Sequence, residues 1–126
     1  MKKILIVIAD YYEDIYSLLL KSAKNNLNNF SLKVIKVPGV FEIPITISKN
    51  IKKFDAILAL ACVIKGETPH FDFISSESTQ SIMNLAVESK KTIGNGIITC
   101  LNIKQAKARG KKGKEAAKAV ISILSQ

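Results

Sequence analysis

The sequence predicts a three-layer α/β/α sandwich built on a four-stranded parallel sheet, and three observations carry that expectation. Four short apolar runs stand at 4–9, 32–37, 56–64 and 93–99. Runs rich in Ile, Leu and Val, with few polar residues among them, suit parallel strands covered on both faces. Each run is followed by apolar residues at helical spacing, which makes the order β-α-β-α-β-α-β-α. That order requires right-handed crossovers and places helices on both sides of the sheet.

The elements follow in turn. The first run spans Ile4 to Ala9 and is stopped by Asp10. Ile15, Leu18, Leu19, Ala23 and Leu27 then form one helical stripe. After the second run, Ile43, Ile47 and Ile51 form another, where Pro44 is tolerated because it falls in the first turn. The third run leads through Pro69, a residue common where helices begin, to a stripe of Phe71, Ile74, Ser78, Ile82 and Leu85. The fourth run is followed by a short helical stretch after Asn102 and by a final stripe of Ala116, Ala117, Val120, Ile121 and Leu124. No repeat, linker or low-complexity tract interrupts the chain. Its 126 residues suffice for one domain, 1–126, and are too few for two.

Composition narrows the class. With 48% hydrophobic and 23% charged residues the chain is globular rather than disordered. Its formal charge of +9 arises from 19 Lys and Arg against 10 Asp and Glu. Much of the excess lies late, in Lys104, Lys107, Arg109, Lys111, Lys112, Lys114 and Lys118. Such a field attracts anions of any kind, and a lysine-rich solvated surface looks the same. The apolar start imitates a signal peptide but is stopped by Asp10 with no small-residue cleavage site after it. No segment approaches the roughly 20 apolar residues of a membrane span. Cys62 and Cys100 sit in apolar runs without CxxC spacing, as expected of free thiols in a reducing compartment, the cytoplasm. Two Cys and one His at these spacings match no common zinc pattern, so no metal is expected.

In folds of this class ligands gather beyond the carboxyl ends of the strands. The residues there are Asp10-Tyr11-Tyr12, Pro38-Gly39-Val40-Phe41-Glu42, Lys65 to His70, and Cys100 to Asn102. Gly66, Glu67 and Thr68 form a glycine turn ahead of a helix, where free N–H groups and a hydroxyl can hold an anion or merely cap the helix. His70, the sole histidine, is expected about one turn inside that helix. It is either a proton shuttle or a hydrogen-bonded structural residue. Glu42 can accept hydrogen bonds from a ligand or complement the helix dipole. Tyr11 and Tyr12 can stack on a planar ligand or cap the core. Arg109 suits bidentate capture of a phosphate.

Two long segments, Pro38-Gly39-Val40-Phe41-Glu42-Ile43-Pro44 and Val63-Ile64-Lys65-Gly66-Glu67-Thr68-Pro69-His70-Phe71-Asp72-Phe73, run in order with Phe54-Asp55-Ala56 and with Asn102-Ile103-Lys104-Gln105-Ala106 leading to Arg109. Together they resemble the lumazine synthase family, which catalyses the penultimate step of riboflavin biosynthesis. The resemblance covers nearly the whole chain and implies a flavodoxin-like fold. It also implies the condensation of 5-amino-6-(D-ribitylamino)uracil with 3,4-dihydroxy-2-butanone 4-phosphate, without metal or organic cofactor.

By the same resemblance Tyr11 stacks on the pyrimidine, while Val40, Phe41 and Glu42 line the ribityl side. Cys62, Val63 and Ile64 border the pyrimidine, and Glu67 and Thr68 cradle the phosphate. Arg109 binds the same phosphate, with Lys112 a further partner, and His70 transfers protons. The resemblance further implies a homo-oligomer, at least a pentamer, in which Asn95 and Arg109 come from the adjacent chain. Neither nucleic acid nor membrane is an expected partner.

Four departures stand out. Asn95 replaces an aromatic residue frequent in relatives, and the loop between Arg109 and Gly113 is shorter than usual. Tyr12 adds bulk beside the stacking residue, and the extension that many relatives carry before the first strand is expected to be lacking. Two other readings stay open on the residues alone: a ribityl- or flavin-binding relative without turnover, and a basic nucleic-acid-binding module.

Overall fold

A computed structural model describes residues 1–66 and 69–126 of the chain. Strands β1 (Lys3–Ala9), β2 (Ser31–Val37), β3 (Ala56–Ile64) and β4 (Ile93–Cys100) form one sheet in the order β2-β1-β3-β4, with every pair parallel. Helices α1 (Glu13–Lys24), α4 (Ile103–Ala108) and α5 (Lys112–Leu124) cover one face. Helices α2 (Ile43–Asn50) and α3 (His70–Ser89) cover the other. The flavodoxin-like three-layer sandwich expected from the sequence is the fold observed. No helix among the described residues is long and apolar enough to cross a membrane.

The two central strands explain why polar alternation is absent from their sequences. In β1, Ile4, Ile6 and Ile8 enter the core under α1 and α5, while Leu5, Val7 and Ala9 enter the core under α2 and α3. In β3, Ala56, Leu58 and Leu60 face the first core, and Ile57, Ala59 and Ala61 the second. Successive side chains point to opposite faces, so a strand buried on both sides must be apolar throughout. Each fully buried Ile or Leu contributes about 2 kcal/mol of transfer free energy.

Helix α5 lies unusually close to its neighbours. A Cβ on Gly113 would stand 2.2 Å from the Leu19 carbonyl oxygen of α1, and one on Gly94 would stand 2.7 Å from the Ala116 carbonyl oxygen. Glycine at these positions lets backbone meet backbone. On the opposite layer Lys91 donates from Nζ to the carbonyl oxygens of Ile51 (2.7 Å) and Phe54 (2.8 Å), tying the end of α3 to the turn after α2.

Three expectations require correction. Leu18 is exposed, because the buried stripe of α1 is narrower and comprises Ile15, Leu19 and Ala23; Leu27 is buried beyond the helix end. Strands β2 and β4 carry exposed residues instead of being buried throughout, and in β2 only Val37 is buried. Both are edge strands, and on β4 helix α3 leaves Asn95 and Thr99 uncovered on its side of the sheet. His70 is the first residue of α3 rather than one turn inside it, since the Pro69 carbonyl already accepts from the Asp72 and Phe73 amides.

Candidate active site

Backbone hydrogen bonds at the sheet's carboxyl edge set the directions of the side chains there. The Asp10 amide donates to the Val37 carbonyl (3.1 Å), and the Lys65 amide donates to the Cys100 carbonyl (2.8 Å), extending both strand pairings past their ends. The Glu42 amide donates to Gly39 (3.2 Å), closing the turn that Pro38 opens. Pro44 occupies the first turn of α2, where no amide donor is needed.

These elements enclose an open cleft of 430 Å³. The end of β1 contributes Ala9, Tyr11 and Tyr12; the turn after β2 contributes Pro38 to Glu42; β3 contributes Cys62, Val63 and Ile64; α3 contributes His70 and Ile74. Eight of the residues expected from the sequence therefore share one cavity: Tyr11, Val40, Phe41, Glu42, Cys62, Val63, Ile64 and His70. Tyr11 is 73% exposed and Phe41 77% exposed, so two aromatic side chains stand largely unpacked at the cleft. Large apolar surface left in water at a cavity mouth is the usual mark of a binding site.

The chemistry within the cleft is uneven. Burial pushes the Cys62 thiol up to about 12, with the neighbouring Cys100 adding to the effect. At neutral pH it is a protonated wall of the cavity and no nucleophile. Burial raises the Tyr12 phenol as well, helped by Tyr11 and Cys62, so that hydroxyl also stays neutral. His70 is exposed at the start of α3, where an imidazole can reach a ligand in the cleft. Among the described residues no hydrogen bond or ion pair takes up the Glu42 carboxylate, which is half-buried beside the turn.

Asn95, Arg109 and Lys112 lie elsewhere. A second cleft of 460 Å³ is lined by Ile97, Ile98, Thr99, Ala108, Arg109, Lys111, Lys112 and Glu115, and it shares no lining residue with the first. Its cations are positioned by α4. Asn102 Oδ1 accepts from the Gln105 amide (2.9 Å), and Gln105 Oε1 accepts from the Leu101 amide (2.8 Å), a reciprocal arrangement that starts the helix. Arg109 closes α4 and donates from Nη1 to the Thr99 carbonyl (3.0 Å). Lys112 pairs with Glu115 at 2.9 Å, an exposed pair that water screens and a stronger anion can displace. Asn95 is exposed on β4, its Oδ1 accepting from the Ile97 amide (3.0 Å).

Glu67 and Thr68, expected at the anion turn, lie outside the described residues. Gly66 beside them has open space where a Cβ would stand. Ile74 lines the first cleft without being among the expected site residues. Ile74 was legible in principle, since it follows His70 by four residues and so shares its helix face. Lys111, which follows Arg109 closely in the sequence, lines the second cleft with it. Among the described residues no group of three or more His, Cys, Asp or Glu is placed to hold a metal ion.

Comparison with known proteins places the chain in a family. Residues 1–126 match the family model for 6,7-dimethyl-8-ribityllumazine synthase. The chain is 42% identical, over 134 aligned residues, to the 6,7-dimethyl-8-ribityllumazine synthase of Rhodopseudomonas palustris (strain BisA53), an alignment covering 95% of this chain and 82% of the relative. It is 40% identical to the enzyme of that name from Nitrobacter hamburgensis, with 95% and 82% covered, and 38% identical to that from Afipia carboxidovorans, with 97% and 83% covered. Because that family model matches residues 1–126, the chain belongs to the 6,7-dimethyl-8-ribityllumazine synthase family.

Proposed function

We propose that the chain is a 6,7-dimethyl-8-ribityllumazine synthase, a transferase of riboflavin biosynthesis, and that it works as one 126-residue domain in a cytoplasmic homopentamer with sites shared between neighbours. It joins 5-amino-6-(D-ribitylamino)uracil to 3,4-dihydroxy-2-butanone 4-phosphate. The observation that carries this reading is the division of the expected site into two clefts without a common residue, one holding His70 and the aromatic side chains, the other holding Arg109 and Lys112. One chain supplies the acid–base and ring-binding half, and its neighbour supplies the cations. Unpacked apolar side chains on α3 (Phe73, Met83 and Val87) support burial against another copy.

In this reading Tyr11 stacks on the pyrimidine, and Cys62, Val63 and Ile64 border it. Val40 and Phe41 flank the ribityl chain, whose hydroxyls donate to the Glu42 carboxylate. The phosphate rests on the turn of Glu67 and Thr68 and on Arg109 of the neighbour, with Lys112 freed from Glu115 to join it, while Asn95 of the neighbour closes the far wall. The substrate amine attacks the ketone, and water leaves to form an imine. Phosphate is then eliminated, and the ring closes with loss of a second water. Each step moves a proton near neutral pH, so His70 serves as base and acid in turn, a role that contributes about a hundredfold to ten-thousandfold. Holding two substrates in one cleft contributes further by making the encounter unimolecular.

The direct test mixes purified protein with both substrates and follows the absorbance and fluorescence of the lumazine. His70→Ala is expected to lower kcat. Arg109→Ala is expected chiefly to raise KM for the phosphorylated substrate. Wild-type behaviour of both variants would overturn the site assignment, and binding of a ribityl compound without product would leave a non-catalytic relative.

A further inference from the structure

We infer that Tyr12 is a positioning residue, holding the ring of Tyr11 at the angle from which it meets the pyrimidine; this rests on the site proposed above. Tyr11 is 73% exposed, so the core does not hold it. Among the described residues its ring partner is Tyr12, with centroids 4.9 Å apart and planes at 79°. This edge-to-face geometry is the one favoured by the aromatic quadrupole.

Tyr12 is itself anchored twice. Its ring packs against the core under α1 and α5. Its backbone stands at the head of α1, where its carbonyl oxygen accepts from the amides of Ile15 (3.1 Å) and Tyr16 (2.8 Å). Orientation thus passes from the core through Tyr12 to an otherwise loose ring. A stacking partner that is oriented before binding costs less to order when the ligand arrives, and that saving is realised as affinity.

The phenol hydroxyl has no part in this, so the contact needs only a ring. Tyr12→Phe is expected to match the wild type. Tyr12→Leu, which keeps apolar bulk toward the core, is expected to raise KM for the pyrimidine about two- to tenfold, the size of one edge-to-face pair. KM for the phosphorylated substrate and kcat should not change, which separates positioning from general loosening.

A double-mutant cycle gives the decisive readout. Because Tyr12 acts through Tyr11, Tyr12→Leu should have no further effect in a Tyr11→Ala background, and additive effects would overturn the proposal. Should Tyr12→Leu fail to fold, the wild-type protein still decides, for NOEs between the two tyrosine rings are expected and their absence would refute the pairing. Absence of lumazine formation by the wild type would defeat the proposed function instead, leaving the ring–ring NOEs to be judged separately.

Discussion

Co-assembly of two impaired variants, His70→Ala and Arg109→Ala, should give more activity than either has alone when the phosphorylated substrate is scarce. The expectation follows from the separation of their side chains, since His70 lines one cleft and Arg109 another that shares none of its residues. In a closed ring each site joins the first cleft of one protomer to the second cleft of the next. Such a site is intact only where an Arg109→Ala protomer, with its histidine, is followed by a His70→Ala protomer, with its arginine. In a random equal mixture each condition holds for about half the positions, so about a quarter of the sites are whole. Loss of the proton shuttle alone lowers the rate about a hundredfold or more. The mixture should therefore exceed the His70→Ala parent by at least about 25-fold. Joint refolding or co-expression supplies the mixture, native mass spectrometry verifies mixed rings, and the assay is lumazine formation with the phosphorylated substrate held well below its KM for the Arg109→Ala variant. Verified mixed rings no more active than their parents would refute the sharing of sites between chains.

Three further outcomes follow from the packing and the electrostatics. Gly113→Ala would drive a methyl to 2.2 Å from the Leu19 carbonyl oxygen and 2.5 Å from Ser22 Oγ, forcing α5 away from α1. An overpacking cost of about 3 kcal/mol corresponds to a fall in Tm of about 10 °C for a chain of this length, and an unchanged thermal melt would contradict the close approach. Lys91→Met removes both hydrogen bonds to Ile51 and Phe54 and should cost about 1–3 kcal/mol in denaturant unfolding; a midpoint equal to wild type would show that these bonds are replaced by water. The Cys62 thiol, raised from 9.0 to about 12, should react with iodoacetamide at pH 8 about a thousandfold more slowly in the folded protein than in urea, as read by peptide mass spectrometry. The same shift has a stability consequence with a definite sign. The folded state holds this proton more tightly, so its contribution is full below pH 9 and is lost as the pH rises from there toward 12. Equal labelling rates would sink both statements.

How much could be read in advance depended on whether a signal was local. The apolar runs of β1 and β3 announced a sheet covered on both faces, because alternate side chains entering two cores leave no room for polar residues. Pro38 and Pro44 marked the turn that carries Phe41 and Glu42, since proline restricts its own backbone wherever it stands. Asn102 and Gln105 mark the start of α4 by a rule that spans three residues. Leu18, β2 and β4 depart from expectation for the opposite reason. Periodicity says which residues share a face but not how much of that face a neighbour covers. Leu18 falls just outside the stripe that α1 buries, and Asn95 and Thr99 fall beyond the cover of α3.

By itself, then, the sequence determined the class of fold, the strand ends where a ligand can bind, and the family through two long motifs. All three depend on residues close together in the chain or on their order. Only the tertiary structure decided that the rings of Tyr11 and Tyr12 meet edge to face, that Gly113 is where two helices touch backbone to backbone, and that Arg109 faces a different cleft from His70. Those facts are distances between elements brought together by folding, and distances of that kind are set by how whole layers pack rather than by any single stretch of chain.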